Sequence, residues 1–134
     1  MRCLIDTNIL IFALTRTGYL ERNVESILSD YDNSLYISSL SVFEALHLFE
    51  NGRIKSKFKS CKEFLNAIDE FNITILHTKN EHFDTYAKLE KVKNHNDPTD
   101  RIIISQAMTE KLTLISSDTK FKEYKQLDFI YNRK

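Results

Sequence analysis

A three-layer α/β/α sandwich around a central parallel sheet of four or five strands is the architecture predicted for this 134-residue chain. Three features carry that expectation. Short runs rich in β-branched and aromatic residues alternate with longer stretches of helical periodicity, the pattern of strands joined through helices. The short runs are almost wholly apolar, as strands are when helices cover both faces of their sheet. Two glycines and one proline leave little material for a linker, so residues 1–134 read as a single domain.

Taken in order, Arg2–Ile5 is the first strand. Helical patterns follow over residues 8–14 and 20–30, where Val24, Ile27 and Leu28 fall on one face. Residues 35–37 form the second strand, and the helix over 40–50 puts Val42, Phe43, Leu46 and Phe49 on a broad apolar face. Phe64, Leu65 and Ile68 mark a further helix before the strand Ile73–Leu76. Phe83, Tyr86, Ala87 and Leu89 define the next helix, and Ile103, Ile104, Ala107 and Met108 the last long one. Strands over 112–115 and 128–131 flank a short helical turn at 119–124.

Bulk composition narrows the class. The apolar run at the N-terminus ends too early for a secretory signal, and no stretch approaches the ~18–20 apolar residues that span a bilayer. Cys3 and Cys61 lack metal spacing and read as reduced packing residues of a cytoplasmic protein. The zero formal charge argues against tight non-specific DNA binding. It conceals a gradient: residues 1–50 hold three basic and seven acidic groups, whereas Arg53, Lys55, Lys57, Lys59 and Lys62 form a run without an acid. Such a run is ordinarily a solvated face, although beside an acidic crevice it also suits steering of a polyanion.

Asp6, Glu44, Asp100 and Asp118 each follow a predicted strand or lie in the helix beside one. In an open parallel sheet these positions converge at the strands' carboxyl ends, where such sheets bind ligands. Carboxylates gathered there repel. At ~5 Å and an effective dielectric of ~20, each ionised pair costs roughly 3 kcal/mol. Protons or a divalent cation must neutralise the cluster, which predicts a hard-metal site.

Each acid also has a plain structural explanation. Asp6 suits a helix N-cap, though Asn8 would cap as well and leave Asp6 spare at the strand tip. Glu44 stands three residues after Ser41, a capping-box spacing. A helix beginning at Ser39 would instead place its carboxylate in a strongly apolar segment, where it needs a partner. Asp97-Pro98-Thr99-Asp100 has the form of a helix start, which favours capping for Asp97. Asp100 lies one turn before Ile104 and should face the sheet edge. Asp118 opens a turn that Ser117 would cap equally well. Capping does not require all four at the carboxyl ends of strands, so the joint pattern carries the inference.

The histidines add little. His47 is one turn after Glu44 and within reach of it, His95 lies two residues before Asp97, and His77 and His82 flank a strand end and a helix start. With no Cys or His at zinc spacing, the site favours oxygen-loving Mg²⁺ or Mn²⁺.

Leu4-Ile5-Asp6-Thr7-Asn8, the Ser39…Glu44 segment, His95-Asn96-Asp97-Pro98-Thr99-Asp100-Arg101 running into 102–107, and Ser116-Ser117-Asp118 together closely resemble the PIN-domain family. Order and spacing match over essentially the whole chain. Many single-domain bacterial members are VapC-like toxins of toxin–antitoxin pairs. The resemblance implies a Mg²⁺- or Mn²⁺-dependent ribonuclease. Carried over residue by residue, Asp6, Glu44, Asp100 and Asp118 match the acidic metal-site positions, and Asp97 the extra acid of a DPxDR variant. Ser116 stands where that family often has Thr, and Thr99 where the variant is often aromatic, a departure that touches the local pocket. Arg101, Lys120 and Lys122 are candidates for holding phosphates, with surface solvation as the alternative for each. The resemblance also implies an RNA substrate, a cognate antitoxin, and a homodimer built from the apolar helices near residues 8–30 and 40–50.

Rival classes fare less well. A receiver-like signalling domain would need an acceptor Asp after a middle strand, and His77-Thr78-Lys79 offers none. A structure-specific DNA nuclease would need extra gripping segments for which the chain has no room. A non-catalytic RNA-binding scaffold, or a housekeeping RNA-processing nuclease, remains the alternative on the same fold.

Overall fold

The computed structural model describes residues 1–133. Its strands are β1 (Arg2–Ile5), β2 (Ser34–Ser38), β3 (Ile73–Leu76), β4 (Thr113–Ser116) and β5 (Phe129–Tyr131). Between them lie α1 (Thr7–Thr15), α2 (Arg22–Ser29), α3 (Ser39–Glu50), α4 (Cys61–Glu70), α5 (Asn80–Lys88) and α6 (Pro98–Glu110). Short 3₁₀ turns occupy Thr17–Tyr19 and Thr119–Glu123. The strands form one sheet in the order β3-β2-β1-β4-β5, with every pairing parallel. The predicted three-layer sandwich is the observed fold.

Alternation along the strands explains the two covering layers. Cys3 and Ile5 of β1 enter one core with Leu35, Ile37 and Ile115, packed by Ile9, Leu10, Val24, Ala45 and Phe64 from α1–α4. Leu4 points the other way, joining Leu114, Ile103, Ile104 and Ala107 under α6, with Phe121 and Tyr124 from the 3₁₀ turn. Both faces of β1 are therefore dry, which is why its sequence is apolar without a polar alternate.

One boundary differs for a definite reason. The strand predicted at 112–115 begins one residue later, because Leu112 closes the preceding helix. Lys111 takes a left-handed conformation (φ 57°), and the Leu112 N–H donates to Ala107 O at 2.8 Å. This is a helix-terminating motif normally signalled by Gly, and a Lys in that place gives no warning.

Chain order positions the site. β2 and β3 extend the sheet on one side of β1, and β4 and β5 on the other. Strand order thus reverses at β1, and a crevice opens there outside the carboxyl ends of β1, β2 and β4. Among the described residues, no helix is long and apolar enough to cross a membrane.

Candidate active site

Asp6 turns the chain out of β1. Its N–H donates to Ile115 O at 2.9 Å, continuing the pairing with β4 by one residue. The carboxylate then serves two masters: Oδ1 accepts from the Thr7 N–H as the N-cap of α1 (2.9 Å), and Oδ2 accepts from the Ser116 hydroxyl (2.7 Å). Capping and a place at the crevice are therefore compatible in one residue, and Asn8 is exposed rather than capping. Ser116 is fully buried at the end of β4, and its oxygen accepts the Asp118 N–H at 3.0 Å. Asp118 in turn caps the 3₁₀ turn by accepting from the Lys120 N–H at 2.9 Å.

Glu44 comes from β2's side of the crevice. Its helix begins at Ser39, capped by the Ser38 hydroxyl accepting from the Leu40 N–H at 3.2 Å. The capping box from Ser41 does not form; Ser41 is buried instead. Burial raises the Glu44 pKa, and the charges of Asp6, Asp100 and Asp97 raise it further. The Thr7 hydroxyl counters part of this shift, although it is buried and makes no well-formed hydrogen bond among the described residues.

Asp97 caps α6 by accepting from the Thr99 N–H at 2.9 Å, as its Asp-Pro setting predicts. Asp100, in the first turn, accepts a contact from His95 Nε2 at 3.2 Å. Burial lifts the Asp100 pKa, with Asp6 and Asp97 adding to it and His95 opposing. Burial likewise dominates the upward shift of Asp6, with Asp118 adding and Ser116 and Thr7 opposing.

The charges of Asp97 and Asp118 are among the causes of the upward shifts of Asp6, Glu44 and Asp100, so the five carboxylates share one field. As placed, however, no three His, Cys, Asp or Glu side chains among the described residues converge closely enough to enclose a metal ion. The two observations agree once distance is considered, since charge repulsion acts over several ångströms while a ligand shell needs about 2–2.6 Å. The donor chemistry, all carboxylate and hydroxyl oxygen, fits Mg²⁺ or Mn²⁺ and is wrong for zinc. The buried Thr7 hydroxyl adds a further oxygen beside Glu44.

Several side chains lie elsewhere than predicted. Arg101 is buried: Nη1 donates to Glu90 O (3.0 Å) and the Tyr124 hydroxyl (3.1 Å), and Nη2 to Leu89 O (3.3 Å). It anchors the segment before α6, so neither phosphate binding nor surface solvation describes it. His47 contacts Asn51 at 3.3 Å instead of Glu44. Lys122 sits over the Tyr131 ring at 4.2 Å. Lys120 stays at the site, lining a depression with Asn94, His95, Asp97 and Asp100. His95, Tyr124 and Thr7 are site-shaping residues that the sequence did not single out; the adjacency of His95 to the Asp97–Asp100 acids was the available signal.

The PIN-domain family profile matches residues 3–127. No curated protein matches the chain. Solved structures match along nearly their full length. VapBC-1 from nontypeable Haemophilus influenzae superposes with a TM-score of 0.72 at 18% identity, covering 100% of both chains. VapBC2 from Rickettsia felis, bound to a promoter DNA fragment, gives 0.68 at 22%, covering 98% of this chain and 99% of that one. VapBC-5 from Mycobacterium tuberculosis, a member of the VapBC family of toxin–antitoxin systems, gives 0.60 at 15%, covering 97% and 98%. At such identities the structural likeness speaks for the fold alone. The profile match spans almost the entire chain, with acids at the carboxyl ends of β1 and β4 inside it, and on that ground this chain belongs to the PIN-domain family.

Proposed function

We propose that the chain is a Mg²⁺- or Mn²⁺-dependent ribonuclease, the toxin of a bacterial toxin–antitoxin pair. One observation carries the reading: Asp6, Glu44 and Asp100 are all raised in pKa partly by their acidic neighbours, at the crevice where strand order reverses. Unneutralised, that concentration of charge opposes folding, which makes sense for a site that receives a cation and a phosphodiester.

In this mechanism Asp6, Asp100 and Asp118 would hold the ion, and Glu44 completes the set. A divalent cation bound there supplies Lewis acidity toward both water and the phosphodiester. Ser116 holds Asp6 and the Asp118 backbone in fixed relation. Glu44, whose pKa is raised by burial and by the neighbouring acids, orients the attacking water and takes its proton, with Asp97 beside it. Lys120 stands at the rim as a cation for a flanking phosphate. In-line attack leaves a 5′-phosphate and a 3′-hydroxyl. An exposed RNA loop suits the site, since unstacked bases are what proteins read in RNA.

The structural relatives named above are VapBC proteins, which supports a cognate antitoxin as partner. A homodimer is proposed through the helix over 40–50 that the sequence suggested, joined by α5 in place of the helices near residues 8–30. α1 is committed to the core through Ile9, Leu10 and Ile11, whereas Phe43 on α3 and Phe83 on α5 remain 71% and 57% exposed. We place the self-association face there. The direct test is incubation of the purified protein with single-stranded RNA and Mn²⁺. Cleavage that EDTA abolishes supports the proposal; intact RNA at every metal concentration overturns it.

A further inference from the structure

We propose that His95 is a positioning residue for Asp100, held in one tautomer by a directed chain of hydrogen bonds from Arg101 through Tyr124. The inference rests on the reading of Asp100 as a metal ligand.

His95 is buried, and its position is fixed on every side. Its N–H donates to Val92 O at 3.2 Å, just after Asn94 takes a left-handed turn (φ 66°). Its ring meets Phe121 edge-on with centroids 5.7 Å apart. Nδ1 lies 2.7 Å from the Tyr124 hydroxyl, and Nε2 lies 3.2 Å from Asp100 Oδ2.

Donor and acceptor counting gives the chain a direction. A guanidinium only donates, so Arg101 Nη1 donates to the Tyr124 oxygen at 3.1 Å. Tyr124 is only 2% exposed, so its hydroxyl proton needs an acceptor inside the protein. Among its described partners, His95 Nδ1 is the one atom able to accept. The imidazole proton must then sit on Nε2, where it is donated to Asp100 Oδ2. Asp100 Oδ1 keeps no protein hydrogen bond among the described residues, which leaves that oxygen for a ligand.

The arrangement parallels the hold of Ser116 on Asp6, where one carboxylate oxygen is also fixed by a buried donor. Such outer partners orient ligating carboxylates, and their removal typically lowers metal affinity about 10–100-fold. A core histidine with a purely structural task would have no reason to reach the rim of the acidic depression, which His95 shares with Asp97, Asp100 and Lys120.

Two measurements test this. In metal-free ¹⁵N-labelled protein, long-range ¹H–¹⁵N correlation should show the His95 ring protonated on Nε2, and Tyr124→Phe should convert it to a mixture of tautomers. A wild-type ring protonated on Nδ1 overturns the proposal. In Mn²⁺ titrations followed by water-proton relaxation, Tyr124→Phe and His95→Ala should each weaken binding about tenfold or more. His95→Gln, which keeps an N–H donor, should recover most of that loss, and KM for RNA should stay within about twofold throughout. Unchanged Mn²⁺ affinity in folded Tyr124→Phe, which removes a single oxygen atom, overturns the proposal even if His95→Ala does not fold. Failure of the parent reading looks different: wild type itself would then bind no Mn²⁺ and cut no RNA, whatever its tautomer.

Discussion

The Ser116 hydroxyl donates to Asp6 Oδ2 at 2.7 Å across 110 positions of sequence, and the same oxygen accepts the Asp118 N–H at 3.0 Å. One small side chain thereby sets the spacing of two acids carried by different strands. Its burial matters, because a hydroxyl shielded from water cannot trade either partner for solvent. The acids of β1 and β4 are thus a preorganised pair rather than two surface charges.

Asp6→Asn should reduce RNA cleavage by at least about 100-fold, since it removes a charge aimed at the cation while keeping the cap on α1. Ser116→Ala should cost about tenfold, the scale expected for a supporting partner, and Ser116→Thr should restore most of it. Initial rates under saturating Mn²⁺ decide the matter. Equal activity in wild type and Asp6→Asn would remove Asp6 from the mechanism.

The raised carboxylates make a prediction about stability and pH. Asp6, Glu44 and Asp100 have folded-state pKa values above those of the unfolded chain, chiefly through burial. The folded protein therefore binds more protons between the two values. The associated stability is fully present below the unfolded carboxylate range of about 4 and disappears as pH rises through the folded values. Metal-free Glu44→Gln should accordingly melt higher than wild type at pH 7.5, with the advantage shrinking toward pH 4. Adding Mn²⁺ should raise the wild-type Tm at pH 7.5 by mass action, about 2.7 kcal/mol at a hundredfold excess over Kd. A Tm difference between the two proteins that does not depend on pH would contradict the assigned electrostatics.

Much of this was readable from the chain because the strands are short apolar runs with polar ends. Arg2–Ile5 and Ile73–Leu76 were located to the residue. The four acids are singled out as candidates by their attachment to strand ends, a topological argument that needs no side-chain geometry. What stayed hidden depends on pairings between distant segments. His95 gains meaning only when Tyr124 of the other segment supplies a proton to its ring. Arg101 reads from the sequence as a phosphate-holding or solvated residue beside the crevice, but carbonyls at Leu89 and Glu90 turn it inward. Lys111 adopts a backbone conformation that composition alone assigns to Gly.

Arg101→Ala should destabilise the fold by about 3 kcal/mol, because it strands the buried Leu89 carbonyl, the part-buried Glu90 carbonyl and the buried Tyr124 hydroxyl without their donor. Arg101→Lys should recover little, since an ammonium cannot span three acceptors held in a planar fork. Urea midpoints compared with wild type measure both. A destabilisation below about 0.5 kcal/mol for the alanine variant, the usual surface value, would mean that the guanidinium is not committed to this anchoring role.

The exposed aromatics give the last prediction. Leu40 of α3, Phe83 and Tyr86 of α5, and Pro98, Thr99 and Ile102 of α6 line one apolar depression, and Phe43 stands one turn beyond Leu40. Exposed apolar patches of this kind mark association surfaces. Light scattering should give twice the chain mass for wild type and the single-chain mass for Phe43→Glu and for Phe83→Glu, each with an unchanged Tm onset for the isolated chain. The patch includes the two residues between Asp97 and Asp100, so association would also restrain the segment that carries both acids. The monomeric variants should therefore lose cleavage activity although neither altered residue lies among the carboxylates. A monomeric wild type would remove the dimer from this account, and full activity in a monomeric variant would separate the patch from the acids beside it.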